Sequence, residues 1–149
     1  MLLTILGAGP GGYVAAIRAA QKGATVTVIE ESEVGGTCLN WGCIPTKTLI
    51  ASAEALEHAR NAAAFGIEIP GEVSYSLDKI RARKDKVVAT QVKGIRSQLK
   101  SWGVNLIHGR GLLIDPTVAR AVQQDGTTQD IRSQSIIIAT GSRPAQLPG

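Results

Sequence analysis

Leu2-Leu3-Thr4-Ile5-Leu6-Gly7-Ala8-Gly9-Pro10-Gly11-Gly12 is the stretch on which the reading of this chain turns. Five apolar or β-branched residues stopped by glycine predict a short buried strand over 2–6. Pro10 suits the first turn of a helix. Val14 and Ile17 follow at helical spacing and Gly23 supplies a stop, so a helix is predicted over 10–22. Thr25-Val26-Thr27-Val28-Ile29 reads as a second strand by its β-branched composition. Strand, helix and strand in that order form a β-α-β unit with parallel strands and a right-handed crossover.

The turn inside this unit fits G-x-G-x-x-G. The pattern alone is weak, but here it follows a strand and opens a helix, as its mechanism requires. Gly7 permits the tight turn, Gly9 has no side chain to block a pyrophosphate, and Gly12 lets the helix pack close to the strand. Free amides and the helix dipole then favour phosphate charge beside Pro10 and Gly11. Glu30 ends the second strand, 23 positions after Gly7. A carboxylate there accepts bonds from both hydroxyls of an adenosine ribose and repels a 2′-phosphate, which disfavours NADP. A plain surface charge is the competing reading of Glu30, and the surrounding unit argues against it. The fingerprint serves NAD and FAD alike.

Working outward, residues 30–41 read as a glycine-containing loop. An alanine-rich helix is predicted over 42–64, with Pro45 in its first turn, and a long helix over 77–102. Val88, Val92, Ile95, Leu99 and Trp102 alternate steps of four and three, so the two helices are expected to pack as a pair. A third core strand is expected over 104–107. A small β-meander is expected over 112–132, with turns at Asp115-Pro116 and Asp125-Gly126. Another buried strand is expected over 135–139, then a linker over 142–149. The fold class is therefore α/β: a Rossmann-like parallel sheet with a helical pair and a β-meander.

The composition fits such a domain. The chain has 149 residues, 44% of them hydrophobic, with few aromatics, so its core is built from Ala, Val, Ile and Leu. The net charge of +4 is concentrated in Lys79, Arg81, Arg83, Lys84, Lys86, Lys93, Arg96 and Lys100, against Asp78 and Asp85. A solvated helix face is the plain reading of that run, and a surface for an acidic partner protein is the other. No aromatics interleave with it, so no nucleic-acid partner is expected. No apolar run is long enough to span a membrane, and the apolar start has no basic leader, so a cytoplasmic location is expected.

The segment Gly35-Gly36-Thr37-Cys38-Leu39-Asn40-Trp41-Gly42-Cys43-Ile44-Pro45-Thr46-Lys47 carries the chemistry. On one regular helix, residues five apart would be separated by about 7.5 Å along the axis and face different ways. That exceeds the usual reach of a disulfide, so a bridge between Cys38 and Cys43 needs an irregular first turn, which Gly42 and Pro45 are placed to allow. Cys43 would then sit near a helix start, where the dipole and Lys47 favour a thiolate. Two other readings compete. The cysteines could be inert buried thiols. They could bind zinc with His58 and His108, but the spacing matches no usual zinc pattern, and no metal is expected.

Gly35 to Lys47 resembles the active-site signature of the class I pyridine-nucleotide disulfide oxidoreductases. Leu39, Asn40, Ile44 and Pro45 make it most similar to the lipoamide (dihydrolipoyl) dehydrogenases within that family. The resemblance extends to Gly7–Gly12, Glu30, His108-Gly109-Arg110-Gly111 and Ala139-Thr140-Gly141-Ser142-Arg143-Pro144.

The resemblance implies that the nucleotide is FAD. Gly7, Gly9, Pro10, Gly11 and Gly12 would meet the pyrophosphate, and Glu30, with Glu31 beside it, the adenosine ribose. Gly36, Thr37 and the Cys38 backbone would line the flavin side, and Lys47 would approach the flavin ring. Gly111 would contact the adenine region through its backbone. Thr140, Gly141 and Ser142 would lie where the last strand meets the cofactor. Cys43 would be the flavin-facing thiol and Cys38 the interchange thiol of a redox-active disulfide. The implied reaction passes electrons from a dihydrolipoyl dithiol, on a lipoyl-bearing protein or a small dithiol, to FAD and then NAD. A glutathione- or mercuric-reductase-like flavoenzyme is the alternative within the class, and a non-catalytic nucleotide-binding module the alternative outside it.

Residues 1–149 would then be an incomplete FAD-binding domain. A separate NAD-binding domain, a central segment and a dimer-interface domain of a homodimer are absent from this sequence. So is the family's catalytic His–Glu pair, which neither His58 nor His108 matches. This segment alone is expected to be inactive.

Overall fold

The computed structural model describes residues 1–147; Pro148 and Gly149, part of the expected linker, lie outside the described residues. The opening β-α-β unit is as the sequence predicts: β1 (Leu2–Leu6), α1 (Pro10–Gln21) and β2 (Thr25–Glu30), with β1 and β2 parallel and Ile5 opposite Val28. β3 (Asn105–His108) adds outside β2, and β7 (Ser135–Ile138) adds on the other side of β1, both parallel. The sheet order is β3-β2-β1-β7.

Strand alternation divides the core in two. Leu3, Ile5, Val26 and Val28 face one side, where Ala16 of α1 and Leu99 of α4 (Leu77–Ser101) close over them. Leu6 and Ile29 face the other side, against Ala119 and Ala121 of a three-stranded antiparallel meander. That meander is β4 (Arg110–Asp115), β5 (Val118–Val122) and β6 (Thr128–Arg132). Thr4, buried on this second face, is satisfied by the Ser133 hydroxyl at 2.7 Å. The chain is thus α/β, with helices on one face of a parallel sheet and a small sheet on the other.

Several sequence expectations change. Residues 30–41 are not all loop: Gly36–Asn40 form a short helix, α2, held by Asn40 Nδ2 donating to the Val34 and Gly36 carbonyls. The expected helix over 42–64 divides at Asn61 into α3 (Cys43–Arg60) and a 3-10 turn (Ala62–Phe65). The apolar seam of α4 is shared between neighbours. Arg83 ties the helix to α3 through the Thr48 carbonyl at 2.9 Å, whereas Ile95 and Leu99 pack into the sheet core. Trp102, expected in that seam, is about half exposed.

β3 and β7 were expected inside the core and instead form the two edges. β7 pairs only with β1 among the described residues, which leaves Ile138 62% exposed. The run Ile136-Ile137-Ile138 carries the composition of a fully covered strand, but composition does not say how many neighbours a strand has. No helix among the described residues is long and apolar enough to cross a membrane.

Candidate functional site

The carboxyl ends of β1, β2 and β7 open into a cleft of about 990 Å³. Its floor is the glycine turn. Gly7 has φ +97°, and a Cβ there would stand 2.3 Å from the Ala139 carbonyl oxygen. A Cβ on Gly12 would lie 1.9 Å from the Gly7 carbonyl oxygen, so only glycine lets α1 start this close to the strand. Gly12 is therefore packed beneath the cleft, while Gly7, Gly9, Pro10 and Gly11 line it. The first turn of α1 has neither an acidic residue nor a side-chain cap, so its amides keep their positive field for a ligand.

Glu30 lines the cleft at the end of β2. Its Oε2 accepts from the Ala8 N–H at 2.6 Å and its Oε1 from the Ser32 N–H at 2.8 Å. The carboxylate is thus fixed against the glycine turn, with lone pairs left for further donors.

The cysteine segment is anchored to the same turn. Gly35 donates its N–H to the Ala8 carbonyl at 2.8 Å. Gly36, at φ +59°, lies so close to Gly9 that a Cβ would be 2.8 Å from the Gly9 Cα. Glycine against glycine sets α2, and with it Cys38, directly beside the start of α1. The chain then breaks at Gly42 and restarts as α3 at Cys43. A Cβ on Gly42 would be 3.0 Å from the Thr37 carbonyl oxygen and 3.4 Å from the Cys38 Cα. This is the irregular first turn the cysteine spacing requires, and it brings the two residues together.

Cys38 is half-buried, Cys43 is exposed, and both stand as unbridged thiols. The Cys38 thiol is raised above its ordinary value, chiefly by the Cys43 side chain beside it and then by burial. The Cys43 backbone N–H and the Lys47 ammonium act in the opposite direction. The larger causes favour a Cys38 that keeps its proton.

Thirteen of the fifteen residues the sequence suggested for a cofactor line this one cleft, the exceptions being Gly12 and Lys47. Lys47 reaches the site through its charge on Cys38. A Cβ on Gly111 would be 2.8 Å from Leu6 Cδ2, so this residue presents backbone because it lies flat on the sheet. Sequence reasoning gave no site role to Ser32, Glu33, Trp41, Arg110 or Arg143, which also line the cleft. Arg110 and Arg143 each adjoin a site glycine or serine, and that adjacency was the available signal. His58, in the last turn of α3, and His108, at the end of β3, lie outside the cleft lining.

A family model described as pyridine nucleotide-disulphide oxidoreductase matches residues 1–149. The chain is 48% identical to the dihydrolipoyl dehydrogenase of Chlamydia muridarum over 147 residues, covering 97% of this chain and 30% of that protein. It is 39% identical over 150 residues to a dihydrolipoyl dehydrogenase of Bacillus subtilis, covering 99% of this chain and 32% of that protein. Among solved structures, LpdA from Mycobacterium tuberculosis superposes with a TM-score of 0.89 at 37% identity, over 99% of this chain and 33% of that one. The HOCl-induced flavoprotein disulfide reductase RclA of Escherichia coli superposes with a TM-score of 0.79 at 27% identity, over 99% of this chain and 30% of that one. The chain thus spans about a third of the length of the proteins it matches.

Proposed function

Since this chain belongs to the pyridine nucleotide-disulphide oxidoreductase family, we propose that it forms the FAD-binding part of a dihydrolipoyl dehydrogenase whose redox centre is Cys38 and Cys43. The observation that carries this reading is that Cys38 and Cys43, drawn together by the chain break at Gly42, both line the cleft floored by the glycine turn. The residues present fit FAD. The glycine turn leaves room for a pyrophosphate, the uncapped start of α1 offers amides to it, and Glu30 offers acceptors to a ribose. Gly36, Thr37 and Cys38 would line the flavin side, and Gly111 with Thr140, Gly141 and Ser142 would close the opposite wall. NAD as final acceptor, a lipoyl-bearing protein as substrate donor and a homodimeric whole enzyme belong to the same proposal.

FAD, when bound, supplies the two-electron acceptor that returns the dithiol to a disulfide. The chain's own residues perform the exchange. A substrate thiolate attacks the Cys38 sulfur, the Cys38–Cys43 bond breaks, and Cys43 departs as a thiolate. The second substrate thiolate attacks its own sulfur in the mixed disulfide, closing the substrate disulfide and releasing Cys38. Two electrons have then moved from substrate to enzyme, and Cys38, its thiol raised beside Cys43, takes up a proton. Lys47 places positive charge beside the pair as negative charge develops.

The test uses the whole polypeptide as the cell makes it. It should be yellow with flavin bands and reduce NAD⁺ with dihydrolipoamide. Cys38→Ser and Cys43→Ser should each abolish that turnover while keeping the flavin. A colourless protein, or turnover that survives either substitution, refutes the proposal.

A further inference from the structure

We propose that the outer face of α4 is a docking surface for an acidic helix on a partner protein. The helix carries eight cations, and four are engaged within the chain: Arg81 with Asp78, Arg83 with the Thr48 carbonyl, Lys84 with Asp85, and Arg96 with Glu33. The four that make neither an ion pair nor a side-chain hydrogen bond among the described residues are Lys79, Lys86, Lys93 and Lys100. All four are exposed and follow each other at intervals of seven residues. Seven residues is nearly two turns, so they form one line about 31 Å long, with a lysine roughly every 10.5 Å. The line runs opposite the face that carries Leu99 into the core.

A helix face kept merely in water usually alternates its charges, so that acid and base lie three or four apart. This face does the opposite. Its neighbours at those spacings are Lys79 and Arg83, Lys93 and Arg96, and Arg96 and Lys100. Such like-charge pairs destabilise the helix, and apart from Glu33, which meets Arg96, no carboxylate pairs with these residues. Ala82 and Ala89 fill the gaps between successive lysines, so a second helix can approach closely. Carboxylates at seven-residue spacing on that helix repeat at the same pitch and meet every lysine in register. Residues 78–101 contain no aromatic side chain on which a base could stack, so the surface suits a polypeptide better than a nucleic acid.

The experiment measures fluorescence anisotropy with the whole polypeptide. The probe is a labelled synthetic helix carrying Glu at four seven-residue intervals, and the control is a scrambled peptide of equal composition. The ordered peptide should bind more tightly, and its affinity should fall by on the order of tenfold as ionic strength rises to physiological levels. The combined Lys79→Gln, Lys86→Gln, Lys93→Gln and Lys100→Gln variant should lose about tenfold or more in affinity while its melting temperature holds or rises, as repulsion along the helix is relieved. Neutralising Arg81 and Lys84 instead should leave binding intact. Equal binding of the scrambled peptide, equal loss on neutralising Arg81 and Lys84, no binding, or tighter binding of duplex DNA overturns the proposal.

Discussion

At the residue scale, the site rests on two side-chain environments. The first is Cys38, whose thiol is raised chiefly by the neighbouring Cys43 side chain. A raised value means less thiolate at neutral pH, so Cys38 should be alkylated more slowly than an ordinary exposed thiol. Cys43→Ala removes the largest cause, and the pH profile of Cys38 alkylation should move toward acid; an unmoved profile would show that the contact does not set the thiol's acidity. The second is Glu30, which accepts two backbone N–H bonds. In Glu30→Gln one of those N–H groups faces an amide donor, which should cost about 1–2 kcal/mol in a denaturant titration and weaken flavin binding. Unchanged stability would show that the carboxylate does not brace the turn. Both residues were legible in the sequence, because each belongs to a local pattern: an acid at a strand end after G-x-G-x-x-G, and two cysteines separated by a glycine that can break a helix.

At the element scale, what matters is how the glycines join pieces. The short helix α2 is held to the phosphate turn by the Gly9–Gly36 approach and to α3 by the Gly42 break. Gly42→Ala places a methyl group 3.0 Å from the Thr37 carbonyl oxygen, and the neighbouring backbone must yield. We expect a cost of about 1–3 kcal/mol and slower closure of the Cys38–Cys43 disulfide under mild oxidant. Wild-type closure kinetics would mean that the break does not align the thiols. The sequence predicted the irregular turn but not α2, since a five-residue helix has too few positions for a period to show. It located β3 and β7 along the chain but did not show that they form the sheet's edges. A strand's neighbours are set by pairings far along the chain, here Leu3 with Ser135 and Thr27 with Asn105, and no local pattern encodes them.

At the scale of the whole molecule, the three-layer arrangement and the convergence of distant segments on one cleft followed from the order of elements, because a parallel sheet places its carboxyl ends on one side. The wall is nevertheless made of few elements, and the matched proteins are about three times longer than this chain. Residues 1–149 produced alone should therefore show no measurable dihydrolipoamide-dependent reduction of NAD⁺ in a stopped-flow assay, and turnover at the rate of the whole polypeptide would overturn the division of labour proposed. The cleft draws its floor from Gly7–Gly11 and an adjoining wall from Ala139–Arg143, more than 120 residues further along the chain. A nucleotide lodged there acts as a noncovalent cross-link that closes the stretch from residue 7 to residue 143 into a single loop. Saturation a hundredfold above Kd would add about 2.7 kcal/mol to the folded state. It would also merge the unfolding of the first and last strands into one cooperative event, so that loss of the ligand and loss of the sheet coincide on heating.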